Sequence, residues 1–120
     1  LKTAVLYELP KHDLTQPQIL AHFCASAQAA IVEVLVEKLV RAARLCGETL
    51  VTVSGGVSCN SGLRAALTAR CEKEGLTLLL AEPALCTDNA AMIAFAAVQR
   101  HNAGLTSPLD AEVDPNLPLA

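Results

Sequence analysis

A β-branched run, Leu50-Val51-Thr52-Val53, stops abruptly on Ser54-Gly55-Gly56, and no other feature constrains the fold as much. Extended residues halted by two glycines, with helix-forming sequence directly after, read as the strand-to-helix turn of an α/β unit. The next helix is expected to start around Ser58 to Asn60, to run through Leu63, Ala66, Leu67 and Arg70, and to stop at Gly75. Leu76 to Leu80 is then a continuous apolar run, the pattern of a strand covered on both faces. A strand–helix–strand connection of this length favours a parallel pair with a right-handed crossover.

Around this unit the sequence places two further helices. Leu1 to Leu9 is a mixed apolar stretch, and Pro10-Lys11-His12-Asp13 a turn. Thr15 can cap a helix, with Gln18 three residues on as in a capping box and Pro17 in the first turn, where a missing N–H does no harm. From Ile19 the apolar residues recur at helical spacing, with Val32, Val36, Val40, Ile31, Leu35 and Leu39 forming a wide stripe. Gly47 would end this helix after about 28–30 residues, long for a globular protein. Glu82-Pro83 breaks the second strand, and a last helix is expected from Asn89 to His101, closed by Asn102 and Gly104. Residues 1–104 thus carry the expected regular elements, and residues 105–120, with three prolines, read as an irregular tail. Two or three strands make a thin sheet, so the expected class is α/β, a piece of a larger fold.

Composition removes several alternatives. Hydrophobic residues make up 52% and charged residues 18% of the 120, with mean hydropathy +0.41, which excludes intrinsic disorder. The bulk is aliphatic: 21 Ala and 20 Leu stand against three aromatics, Tyr7, Phe23 and Phe95. No uninterrupted apolar run reaches the roughly 18–20 residues of a membrane span, and Leu1-Lys2-Thr3-Ala4 has neither region of a signal peptide. The missing initiator Met suggests a cropped or processed chain. A net charge of −3 is not that of a freestanding nucleic-acid binder. Local basic clusters (Lys38, Arg41, Arg44; Arg64, Arg70, Lys73) read as solvated helix faces. Five cysteines with gaps of 22, 13, 12 and 15 residues make neither a disulfide framework nor a zinc motif, and fit buried free thiols in a reducing compartment.

Two stretches carry chemistry. In Ser54 to Arg64, Gly55 and Gly56 let the backbone approach a ligand, and the helix N-terminus offers unpaired N–H groups to an anion. Asn60 adds an amide that both donates and accepts; it can equally be a plain helix cap. Arg64 reads as a surface residue. In Glu82 to Ala94, Asp88 stands where a helix begins, either as its cap or as a metal-ligating carboxylate at a sheet end. One carboxylate is not a metal site, and His12, His22 and His101 have no His-x-x-x-His spacing.

Ser-Gly-Gly-Val-Ser-x-Asn-x-x-Leu-Arg (54–64) followed by Cys-Thr-Asp-Asn-x-Ala-Met-Ile-Ala (86–94) resembles the C-terminal lobe of the tRNA N6-adenosine threonylcarbamoyltransferase family. That family was formerly named O-sialoglycoprotein endopeptidase. Leu1-Lys2-Thr3-Ala4-Val5 and the helix around Val34 to Lys38 support the likeness, which covers most of Leu1 to Gly104. It implies part of an actin-like, sugar-kinase-like (RNase H-like) ATPase lobe. It also implies transfer of a threonylcarbamoyl group from threonylcarbamoyl-AMP to N6 of adenosine 37 in tRNAs that read codons beginning with A. By position, Asp88 matches the family's metal aspartate, for iron or zinc, with the other ligands from two histidines of an upstream motif. Asn60, Gly55 and Gly56 match its adenylate contacts, and no residue of this stretch matches a catalytic acid or base. Implied partners are tRNA, a scaffold paralogue of the same fold and a small P-loop ATPase, in the cytoplasm and away from membranes. Ala90 stands for a usual glycine and Cys59 for a usual alanine, both small. With the upstream histidines and first lobe outside the chain, the 120-residue piece is expected to be inactive alone. The alternatives are the scaffold paralogue itself, which lacks the metal residues, and a sugar kinase, which needs no aspartate here. The protease name finds no Ser-His-Asp set or His-Glu-x-x-His.

Overall fold

The computed structural model describes residues 1–112 and 116. In chain order these form α1 (Lys2–Glu8), α2 (Pro17–Cys46), β1 (Leu50–Val53), α3 (Ser61–Glu74), β2 (Thr77–Leu80) and α4 (Ala90–Asn102). Single 3-10 turns occupy Leu9–Lys11, Gly56–Cys59 and Pro83–Leu85. The chain divides into two compact units, Leu1–Thr87 and Asp88–Ala120.

The first unit contains the expected strand–helix–strand element. β1 and β2 pair in parallel, Leu50 opposite Thr77 through Val53 opposite Leu80, with α3 as the crossover. Its core is Val36, Leu63 and Leu67, joined by Val32, Leu39, Val53, Ala66 and Leu78. Val32, Val36, Leu39, Val40 and Ala43 follow helical spacing, so one stripe of α2 meets α3 and the sheet. Burying a leucine as completely as Leu67, 2% exposed, contributes about 1.5–3 kcal/mol.

β2 departs from the expected double cover. Leu78 and Leu80 are half-buried, whereas Thr77 and Leu79 are exposed, and β1 alternates in the same way. Within this unit helices meet only one face of the two-stranded sheet, so the pleat sends every second side chain to the open face.

Leu1 to Leu9 becomes α1 and runs into the turn at Pro10. α2 has 30 residues and ends at a left-handed Gly47, and α3 ends likewise at Gly75. The capping box at Thr15 does not form. Gln16 occupies the cap without a side-chain bond, and Pro17 opens the helix. Asp13 holds the approach instead: its Oδ1 accepts Thr15 Oγ1–H at 2.5 Å and Thr15 N–H at 3.2 Å, and its Oδ2 accepts Gln16 Nε2–H at 2.9 Å. Such an Asx turn takes the hydroxyl that a capping box would need.

α2 is also long and apolar enough to cross a membrane by length and composition, with mean hydropathy 1.8 over an 18-residue window. The helix still has no uninterrupted apolar run of that length, because isolated polar residues such as His22, Gln28 and Glu33 break the run while its average stays apolar. In this unit the Val36, Val40 and Ala43 stripe of the helix packs against protein.

The basic clusters are not simply solvated. Arg70 grips Glu37 of α2 through Nη1 at 2.7 Å and Nη2 at 3.3 Å, and Glu74 through Nε at 2.9 Å; Glu74 also pairs with Arg44. The hydrogen bond from Arg44, aided by Arg70, holds the Glu74 carboxyl below the usual carboxylate range. Of the cysteines, Cys71 and Cys86 are buried and Cys24, Cys46 and Cys59 exposed, all as free thiols. The expectation of buried thiols therefore fails for three: two lie off the buried stripe of α2, and one lies on a surface turn. Burial pushes the Cys71 thiol up.

The second unit carries α4. Met92, Ile93, Phe95 and Val98 are all exposed, and no residue of the helix is buried. Of the tail expected at 105–120, residues 105–112 hold neither helix nor strand; residues 113–115 and 117–120 lie outside the described residues.

Candidate functional site

β1 delivers the glycine loop. Gly55 has φ 91° and ψ 166°, a region open essentially to glycine alone. Gly56 has no such constraint, and a Cβ there would meet nothing within 4 Å. Gly55 is therefore demanded by this chain's own backbone, whereas beside Gly56 there is open space that none of the described residues fills within 4 Å.

The loop is anchored from beneath. Ser58, 2% exposed, approaches the Gly55 carbonyl through Oγ at 2.7 Å and Cys86 Sγ at 3.1 Å, and its N–H donates to Gly55 O at 2.9 Å. Arg64 donates from Nε to Ser58 O at 2.6 Å and from Nη2 to Ala81 O at 2.5 Å. A surface role for Arg64 is thus incorrect. A long side chain in the first turn of a helix leans back over the N-terminus, which carries this guanidinium under the loop. Cys86 Sγ lies 3.2 Å from Glu82 O and 3.9 Å from Arg64 Nη2. The Ser58 hydrogen bond, against burial and with help from Cys59 and Arg64, holds the Cys86 thiol below its ordinary range.

Asn60 caps α3, its Oδ1 accepting Leu63 N–H at 2.9 Å, and its Nδ2 donates to Gln28 Oε1 at 3.0 Å. The cap fixes which end of the amide faces the helix, so one Nδ2 hydrogen remains in a set direction. Gln28 escaped the sequence reading, since nothing local marks it. The one trace is Gly62, where a Cβ would lie 3.1 Å from Gln28 Nε2 and 3.2 Å from Asn60 Oδ1. A cavity of about 350 Å³ opens here between Gln28, Ile31, Val57, Asn60 and Leu63. A larger cavity, about 550 Å³, lies elsewhere, among Glu8, His12, His22 and Phe23.

Asp88 opens the second unit and is exposed. It is not the helix cap: Asn89 fills that place, its Oδ1 accepting Met92 N–H at 3.0 Å. Asp88 borders a cavity of about 350 Å³ with Asn89, Ala90, Met92 and Ile93. Among the described residues no three His, Cys, Asp or Glu side chains gather as a metal site; the chain offers one carboxylate, too few to hold an ion by itself. The first unit thus unites Gly55, Gly56 and Asn60 on one loop, and Asp88 belongs to the second.

Residues 1–95 match the family model of tRNA N6-adenosine threonylcarbamoyltransferase. The chain belongs to this family. Proteins of that name include one from Anaeromyxobacter sp. (strain Fw109-5), 47% identical over 116 residues, covering 96% of this chain and 35% of the relative. The Sorangium cellulosum (strain So ce56) protein is 44% identical over 110 residues, covering 92% and 31%. That of Geobacter sulfurreducens is 50% identical over 94 residues, covering 78% and 28%. The chain spans about a third of the length of these curated relatives. Both motif stretches, 54–64 and 86–94, fall inside the span matched by this transferase family.

Proposed function

We propose that this chain is the C-terminal portion of a transferase that moves a threonylcarbamoyl group from threonylcarbamoyl-AMP to N6 of adenosine 37 in tRNAs reading ANN codons. Family membership supports the reaction class. The observation that carries the site is the pairing of an open Gly56 with the oriented Asn60 amide at the end of β1. Gly55 turns the backbone, Gly56 lets the leaving AMP approach it, and Asn60 donates its remaining Nδ2 hydrogen to that moiety. Holding the leaving group fixes the acyl carbon for attack by the adenosine amine.

Asp88 would give one carboxylate ligand to a divalent metal, iron or zinc, whose chemistry when bound is to polarise the acyl group. The other ligands come from upstream histidines beyond these 120 residues, so the isolated piece neither holds the metal tightly nor turns over. The lobe is of the actin-like ATPase kind, with residues 1–104 in it and 105–120 as its tail. In the cytoplasm it works with a scaffold paralogue and a small P-loop ATPase, α2 facing protein rather than lipid.

The test uses the full-length protein. Asn60→Ser keeps a capping oxygen and loses the amide donor, so its melting temperature should hold while KM for the adenylate rises and tRNA modification falls. Asp88→Ala should lose bound metal. Unchanged KM and modification in the first would refute the Asn60 role. Unchanged metal and modification in the second would refute the Asp88 role and favour the scaffold paralogue.

A further inference from the structure

Cys59 and Cys86 of the first unit meet at one backbone carbonyl, the first through its thiol and the second through its main-chain N–H. Cys59, exposed at the end of the Gly56–Cys59 turn, brings Sγ to 3.7 Å from Pro83 O. The same oxygen accepts the Cys86 main-chain N–H at 3.1 Å, and Ser58, next to Cys59 in the chain, brings Oγ to 3.1 Å from Cys86 Sγ. The two cysteines differ sharply in access: Cys59 is exposed, whereas Cys86 is 6% exposed and enclosed by Ser58 Oγ, Glu82 O and Arg64. The remaining cysteines have no such neighbour: Cys24 and Cys46 are exposed on α2, and Cys71 is buried in α3.

We propose that Cys59 and Cys86 form an oxidation site, closing to a disulfide when a peroxide reaches the loop. Peroxide meets the accessible sulfur first: Cys59 Sγ attacks one peroxide oxygen, the O–O bond breaks, and water leaves, giving Cys59 sulfenic acid. Cys86 Sγ then attacks Cys59 Sγ. The S–OH bond breaks, and the hydroxide leaves as water with the proton shed by Cys86. One hydrogen peroxide and two thiols give one disulfide and two waters, the thiols oxidised by two electrons and the peroxide reduced by two. The new bond ties the Gly56–Cys59 turn to the Pro83–Leu85 turn, two segments 24 residues apart at their Cys59–Pro83 contact. It would restrict the loop that bears Gly55, Gly56 and Asn60.

The test takes the full-length protein carrying Cys46→Ser, because Cys46 and Cys59 share the tryptic peptide 45–64. The protein is treated with hydrogen peroxide at a few equivalents, free thiols are capped with N-ethylmaleimide, and the digest is read by mass spectrometry. The expected result is a 45–64 peptide linked to the 74–100 peptide, lighter by two hydrogens than the sum and separated by dithiothreitol. Cys59→Ala should abolish the link and leave Cys86 capped only after unfolding, while Cys24→Ser should leave the link intact. Cys86→Ser should let Cys59 proceed to the sulfinic acid. The proposal is overturned if Cys59 goes to sulfinic acid with Cys86 still reduced in the Cys46→Ser protein, if both stay free, or if either pairs with Cys24 or Cys71.

Discussion

Arg64 donates from Nη2 to the Ala81 carbonyl at 2.5 Å, joining the first turn of α3 to the residue that follows β2. Its Nε bond to Ser58 O adds the glycine loop, so one guanidinium holds three consecutive pieces of the α/β unit. Removing it leaves two carbonyls short of a charged donor, each costing about 1–3 kcal/mol when buried. Arg64→Lys keeps the charge but not the fork. The urea midpoint should fall for Arg64→Ala and fall measurably for Arg64→Lys, with the slope unchanged. A midpoint equal to wild type in both would show the clasp to be idle.

Gly55 and Gly56 should respond in opposite ways to alanine. At φ 91° a side chain is strained by about 1–3 kcal/mol, so Gly55→Ala should lower the melting temperature. Gly56→Ala meets open space and should leave stability unaltered, while weakening binding of an adenylate ligand to the full-length protein. Equal effects on stability would contradict the geometry.

Acid sensitivity should trace to Glu74. Its carboxyl lies below the usual range, first through the hydrogen bond from Arg44. A depressed folded-state value adds stability that is present above the usual glutamate range and is lost as pH falls through the lower, folded value. Glu74→Gln should therefore flatten the acid limb of a stability–pH curve and leave the slope of its neutral limb unchanged. A variant whose acid limb matches wild type would remove Glu74 from the account.

Leu67→Ala, at a site 2% exposed, should cost about 2–5 kcal/mol through lost burial and the cavity left behind. Leu45→Ala, 77% exposed at the end of α2, should stay within about 0.5 kcal/mol of wild type. Equilibrium urea unfolding of both variants reads the difference directly.

Local rules were enough wherever one residue decides the backbone. The strand that stops before Gly55 and the helix ends at Gly47 and Gly75 could be read along the chain, because steric limits on φ act within a residue or two. They failed where two polar neighbours compete for one helix start: Asp13 drew Thr15 away from the cap, and Asn89 took the place that Asp88 could equally have filled. The apolar run Leu76 to Leu80 misled for a related reason, since it records that leucines suit a strand but not how many layers cover it.

The sequence alone determined the α/β element, its glycine turn and the two motif stretches, because each is written in adjacent residues with a restricted set of backbone angles. Only tertiary structure decided that Gln28 meets Asn60 across 32 residues, that Arg64 lies beneath the loop, and that Cys59 reaches the Pro83 carbonyl. Those contacts depend on how one helix face settles against another, and packing of that kind is fixed by the shapes of many side chains together.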